Sequence, residues 1–463
     1  MAIPLLQDLP YFQDSATLFD RVADRHWSIF LDSGRPSSKQ GRFDILTFEP
    51  YITLETRGEI TELRSADRTW HSGEDPFRLV QQSLGEFVQP DLSLPFIGGA
   101  LGYFSYDLAH RLERFGTDTV ASADQLPDMA VGIYDWALVV DHVSRKSCLV
   151  GQGRDPRTRQ RWESLVELFS HPPAESEPVS FGCTGRVESN LTKEEYRSGF
   201  ESIQRYIREG DCYQVNFSQQ FSADCEGAPW DAYKALRSTN PAPFAAYINN
   251  PSGQVLSCSP ERFLRVRDGM VETKPIKGTR PRSSDPVTDA RAILELQQSA
   301  KDRAENLMIV DLLRNDLGKS CVPGSIHVPK LFEVESFATV HHLVSTVAGK
   351  LMPEKSALDL LRGAFPGGSI TGAPKLRAME IIEELEPGRR GVYCGAIGYI
   401  GYDGAMDTNI AIRTLVHSDG RVSYSAGGGI VADSDCGAEY QETFDKARAV
   451  LDLLQGSSVE KRD

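Results

Sequence analysis

The feature that most constrains this chain is the order of its apolar periods. Three strand-like runs follow one another with only turns between them: VYCGAIGYIGYDG (392–404), NIAIRTLVHS (409–418) and VSYSAGGGIV (422–431). They lie between two helical stretches, LRAMEIIEEL (376–385) and AEYQETFDKARAVLDLL (438–454). Strands joined by short turns pair antiparallel, because a parallel pair needs a crossover of about a dozen residues or more. Grouped strands and grouped helices predict an α+β fold with large antiparallel sheets, not a βαβ wheel.

The rest of the chain extends that pattern. ILTFEPYITLETRG followed by EITELRS alternates apolar and polar residues as hairpin strands do, and VGIYDWALVVDH and SRKSCLVGQG read the same way. LTKEEYRSGFESIQRYIREG places Tyr196, Phe200, Ile203 and Ile207 at helical spacing. Thr192 and Glu195 form a capping box there, and Gly210 stops the helix. QVNFSQQFS, VLSCS, RFLRVR and MVETKPI read as strands, with Asp268-Gly269 as a hairpin turn. SAKDRAENLMIVDLLRND is a long helix. The segment SHPPAESEPVSFGCTG, from Ser170 to Gly185, is rich in Pro, Ser and Glu and reads as a linker. It divides a strand-rich region, 1–170, from a second region, 186–455.

Composition excludes several classes. With 463 residues, 40% of them hydrophobic, the chain can bury a large core. A net charge of −15 argues against a nucleic-acid partner, which needs clustered Lys and Arg. No run approaches about 18 apolar residues and no basic, apolar leader opens the chain, so a cytoplasmic protein without a membrane span is expected. The eight cysteines are scattered, with no CxxC pair; reduced thiols, and neither a zinc site nor a disulfide scaffold, are expected.

Several residues carry candidate chemistry, each beside a plainer reading. Lys277, in TKPIKGTRPR, ends an apolar strand; a partly buried Lys can lose its proton and act as nucleophile or base, whereas a surface Lys at a strand end does nothing. Asp302 with Glu305, and Glu439 with Glu442, are i, i+3 carboxylate pairs on helices, suited to Mg²⁺ if they face inward. Glu442 with Lys446 could equally be an ordinary i, i+4 surface pair. FPGGSITGAPK and SAGGGIV offer backbone N–H groups to an anion, or merely allow tight turns. The first is superficially similar to a phosphate loop but lacks its Gly-Lys-Ser/Thr ending. Glu261, after SCSP, is an acid or base if burial raises its pKa. Arg413 in an apolar run needs an acidic partner or ligand, and His342 is either functional or a satisfied core histidine.

Taken together, GDCYQVNFSQ, SPERF, PIKGTRPR, AENLMIVDLLRNDLG, HHLVSTV, FPGGSITGAPK, AIRTL and GGGIVADS…EYQETFDKA stand in one order. In that order they resemble the chorismate-binding catalytic domain shared by anthranilate, aminodeoxychorismate, isochorismate and salicylate synthases. GGALGYFSYD at 98–107 resembles the companion region of the same family. The resemblance implies two antiparallel sheets packed as a sandwich with helices outside, as in anthranilate synthase component I. It implies Mg²⁺ held by Glu305 and Glu442, with Asp302 and Glu439 beside it. Tyr393, Arg413, Lys446 and the backbone of Gly427, Gly428 and Gly429 would hold the enolpyruvyl carboxylate. His342 would lie by the departing C4 hydroxyl, and Ser369 near the ring carboxylate.

Lys277 stands where anthranilate and salicylate synthases usually carry Ala, and where the aminodeoxychorismate branch carries Lys. The resemblance therefore implies attack by Lys277 on ring C2 with Glu261 as acid and then base, ammonia entering at C4, and a product used for folate. Gln214 stands where water-adding relatives carry a basic Lys, which disfavours hydroxylation. No amidotransferase region is recognisable, so ammonia is expected from a separate glutaminase subunit. Relatives that bind tryptophan do so between the N-terminal sheet and a segment like NPAPFAAY (240–247). Here FDILTFEP (43–50) replaces their LLES-type motif, with Thr47 or a neighbour in place of the Ser. Tryptophan as a structural ligand, without feedback inhibition, is the expectation. The alternatives are anthranilate synthase component I and a silent subunit on the same fold.

Overall fold

The computed structural model describes residues 4–38, 41–88, 93–113, 125–171, 181–337 and 340–455. Its centre is a sandwich of two large, antiparallel sheets, and strands from both sides of the Ser170–Gly185 segment enter each sheet. Most of that segment, 172–180, lies outside the described residues. In one sheet Ser28–Asp32 pairs with Phe244–Asn250, and in the other Gly99–Phe104 pairs with Ala396–Gly401.

Side chains that alternate along a strand explain the layering. Leu101 and Tyr103 point between the sheets, where they pack with Ile29, Val139, Ile248 and Ile397. Their neighbours Ala100 and Phe104 point outward into a second core, closed by the helices Pro76–Leu84, Ala300–Gly318 and Ala357–Ala364. The outer face of the other sheet is covered by Pro156–Ser170, Pro229–Thr239 and Cys436–Gln455. With both faces covered, strands such as Gly99–Phe104 and Trp136–Asp141 are buried at every position, as in sheets sandwiched between other layers.

The expected helices form. Lys193–Glu209 begins at the Thr192/Glu195 capping box and ends on Gly210 in a left-handed conformation (φ 86°). The Asp268-Gly269 turn has both residues at positive φ, as a type I′ hairpin requires. No helix among the described residues is long and apolar enough to cross a membrane.

Several continuous-looking runs turn out to be broken. VGIYDWALVVDH splits at Asp135, with Met129–Tyr134 in one sheet and Trp136–Asp141 in the other. NIAIRTLVHS splits after Ile410, and Thr414–Ser418 resumes in the opposite sheet. Gly253–Ser259 and Arg262–Arg267 likewise belong to different sheets. The last two switches are neighbours: Ile410 N–H donates to the Glu261 carbonyl at 3.0 Å, Ser259 Oγ to Ile410 O at 2.6 Å and Cys258 N–H to Arg413 O at 3.0 Å. Strands that change sheets leave a corner. Glu261 and Arg413 stand at this one.

Candidate active site

Glu261 is buried at that corner, and its Oε1 accepts a hydrogen bond from Ser369 Oγ at 2.8 Å. Burial pushes its carboxyl pKa up, against the opposing pull of Lys277 and of the Ser369 hydroxyl. Lys277 lies on Ile276–Pro281 and donates from Nζ to the Ser369 carbonyl at 2.9 Å. Burial pushes its ammonium pKa down, partly offset by Glu261 and Glu305. Ser369 thus holds both groups, its hydroxyl on the acid and its carbonyl on the amine. The charges of Glu261, Glu305, Glu442 and Lys446 all reach Lys277, so residues spread over 186 positions of sequence converge.

The loop carrying Ser369 is anchored by two buried ion pairs. Lys375 Nζ donates to Asp316 at 2.6 Å and to Ala364 O at 2.8 Å. Arg390 pairs with Glu386 and donates to the carbonyls of Ile370 (3.0 Å) and Asn216 (2.7 Å), while Glu386 accepts from Ser218 N–H and Oγ. The guanidinium also lies 4.8 Å from the Tyr106 ring and 5.8 Å from the ring of Tyr393, which is buried beside it. Arg390, Glu386, Asp316 and Lys375 were not singled out from sequence. The only signal there was the charge of Arg390 and Lys375 next to apolar or glycine-rich runs.

His342 stands directly across from Thr279 in the strand register, and its Nδ1 lies 2.9 Å from Thr279 Oγ1. Burial first, and the nearby Arg413 next, push its pKa down to about 4, so the imidazole is neutral at neutral pH. Arg413 has φ +50° at the sheet switch and donates to Asn240 Oδ1 at 3.1 Å.

The glycine run sits against functional side chains. Gly427 O accepts from Lys446 Nζ at 2.8 Å, and Lys446 also pairs with Glu442 at 2.7 Å. The i, i+4 pair therefore exists, and Lys446 ties it to the sheet. A Cβ on Gly428 would come 2.9 Å from Glu439 Oε2 and 3.6 Å from Glu442 Oε1. A Cβ on Gly429 would come 1.9 Å from Gln214 Nε2. Gln214 is buried, and its Oε1 has no hydrogen-bond partner among the described residues.

The carboxylates on Ala300–Gly318 and Cys436–Gln455 press on one another. Burial, then Asp302 and Glu439, raise the pKa of Glu305; burial, then Glu442, raise that of Glu439, against the Ser434 hydroxyl bonded to it at 2.7 Å. Asp302 is held by Arg280 at 2.9 Å. Lys446 on Glu442, Arg280 on Asp302, and Lys277 and Lys301 near Glu305 offset part of that repulsion. The cluster of hard oxygen donors fits a divalent ion that prefers oxygen and keeps some of its waters.

A cavity of about 400 Å³ lies between the sheets; Asp32, Phe43, Ile45, Pro243 and Phe244 are among its walls. Thr47 is buried with its hydroxyl on Trp136 O at 2.8 Å and is not among them.

Residues 29–452 match the family of chorismate binding enzymes, and the chain belongs to that family. It is 50% identical to aminodeoxychorismate synthase component 1 of Klebsiella aerogenes, covering 98% of this chain and 100% of that one. It is 48% identical to the protein of that name from Escherichia coli K12, over 98% and 99%. It is also 36% identical to anthranilate synthase component 1 of Pseudomonas putida, over 97% and 94%. Anthranilate synthase component I of Streptococcus pneumoniae TIGR4 superposes with a TM-score of 0.79 at 33% identity, covering 89% of this chain and 92% of that one. The α+β sandwich expected from sequence is the observed fold.

Proposed function

We propose that this enzyme aminates chorismate at C4 with ammonia to give 4-amino-4-deoxychorismate. The observation that carries the reading is the Lys277–Ser369–Glu261 triplet, with Lys277 half-buried and the other two buried, which puts a depressed-pKa amine and a raised-pKa carboxylic acid on one residue. The relatives named for this synthase support it. Mg²⁺ would be held by Glu305 and Glu442, with Asp302 and Glu439 beside it, and would supply countercharge for a substrate carboxylate.

The chain's own groups then act in turn. The Lys277 amine forms a bond to ring C2 as the C4–O bond breaks, and Glu261 protonates the departing hydroxyl. Ammonia forms the new bond at C4 while the bond from C2 to Lys277 breaks, and Glu261, now a carboxylate, accepts the proton shed by the incoming nitrogen. Two easier displacements replace one, the general gain of covalent catalysis. Neutral His342 faces the C4 side. Arg413, Lys446, Tyr393 and the backbone of Gly427 to Gly429 bind the enolpyruvyl carboxylate, and Ser369 orients both reacting groups. Buried Gln214 offers no base to water.

Ammonia would come from a separate glutamine amidotransferase subunit, and the product would serve folate synthesis. The inter-sheet cavity would take tryptophan as a structural ligand. The test is product identification by liquid chromatography–mass spectrometry after incubation with chorismate, Mg²⁺ and excess ammonium. 4-Amino-4-deoxychorismate is expected; anthranilate as the product would refute the reading.

A further inference from the structure

A second cluster of ligating groups lies apart from the Lys277 corner. The short helical turn Tyr106–Arg111 follows the strand Gly99–Phe104 and carries Asp107 and His110; Glu383 faces it from the helix Lys375–Leu385. One ligand atom from each of the three lies within 4.8 Å of the other two, and among the described residues no other trio of His, Cys, Asp and Glu is that close.

Asp107 supplies an independent observation. Its side chain is buried, with 3% of the residue exposed. Oδ2 accepts the Gly391 N–H at 2.9 Å, but Oδ1 is buried with no hydrogen-bond partner among the described residues. A buried carboxylate oxygen without a donor is costly, and native proteins explain such atoms by a bound water or ion. His110 Nε2 and Glu383 Oε1 form an ion pair at 3.2 Å, a separation that two ligands of one metal ion would also take. Two ligands of one tetrahedral Zn²⁺, at bonds of about 2.0–2.1 Å, stand about 3.3 Å apart. The His110 and Glu383 side chains are 23% and 20% exposed, which leaves an entry path from solvent against a buried Asp107 wall. The local charge permits a cation: Arg389 opposes it, while Asp128 adds a carboxylate near Asp107.

We propose that Asp107, His110 and Glu383 bind a divalent transition-metal ion such as Zn²⁺. One imidazole and two carboxylates suit Zn²⁺ better than the all-oxygen shell Mg²⁺ prefers. The site needs no thiolate, which is why cysteine spacing gives no hint of it. The ion ties the turn after Gly99–Phe104 to the helix that follows the Ser369 loop, and so braces that loop from behind.

The test uses the full chain stripped with a chelator, Zn²⁺ alone as probe, and Mg²⁺ in large excess to occupy the carboxylates around Glu305 and Glu442. Bound zinc is measured by equilibrium dialysis with elemental analysis, and unfolding by calorimetry. The wild type is expected to retain one Zn²⁺ per chain and to unfold at higher temperature with zinc than without. His110→Ala and Glu383→Gln are each expected to weaken retention by more than about 100-fold, beyond the 10–100-fold that outer partners of a ligand are worth. Both variants should unfold without zinc near the zinc-free wild type, and zinc should not shift either. A wild type that retains no zinc, or variants that retain as much as the wild type, would overturn the proposal.

Discussion

Replacing Gly429 with Ala tests the packing that holds Gln214. The added Cβ would meet Gln214 Nε2 at 1.9 Å and Cδ at 3.0 Å. The amide must retreat by roughly 1.5 Å to reach ordinary contact. Gln214 is buried, so its amide retreats only by changing rotamer against packed neighbours. Overpacking of this kind costs about 1–3 kcal/mol. Gly429→Ala should therefore lower stability by that amount in urea unfolding.

The double variant Gln214→Ala/Gly429→Ala makes the reasoning sharper. Removing the amide vacates the space the methyl needs, so the second substitution should cost less than about 0.5 kcal/mol in the Gln214→Ala background. The two effects then fail to add, as they do for residues in contact. If Gly429→Ala alone unfolds like the wild type, or the two costs simply add, the contact does not dictate glycine at 429.

Lys277→Ala should lower amination of chorismate by at least about 100-fold, the scale on which a positioned catalytic group acts, while the unfolding midpoint stays near the wild type. His342 has a folded-state pKa near 4 against 6.5 for the free side chain, so the unfolded chain binds the extra proton between those values. Its contribution to stability is full above about pH 6.5 and is lost as pH falls toward 4, with a slope of up to about 1.4 kcal/mol per pH unit that His342→Gln should remove from a pH series of urea unfolding curves. Arg390→Met should cost about 3–5 kcal/mol, because it strands the buried Glu386 carboxylate, and urea unfolding at neutral pH should show it.

Much of the fold was legible in local pattern. Capping residues, helical spacing and hairpin turns depend on near neighbours, so Thr192, Glu195, Gly210 and Asp268-Gly269 stand where sequence predicts them. The sheet switches at Asp135, Glu261 and Ala411–Arg413 were not legible. A strand buried on both faces reads as one apolar run whether or not it changes sheets. The resemblance to the family named Lys277, Glu261, Glu305 and Glu442, but spacing alone left each beside a surface reading. What joins Lys277 to Glu261 is Ser369, 92 positions from the one and 108 from the other, and contacts of that range have no local signature. Arg390 and Glu386 were missed for the same reason, since their partners Ser218 and Asn216 lie some 170 positions upstream.

The most direct measurement follows nitrogen into the product. Chorismate and Mg²⁺ are incubated with ¹⁵N-ammonium, and the product is located by proton–nitrogen correlation spectroscopy. The account predicts ¹⁵N bonded at ring C4, with the enolpyruvyl group retained. Label at C2, or release of pyruvate with an aromatic 2-amino product, would contradict it.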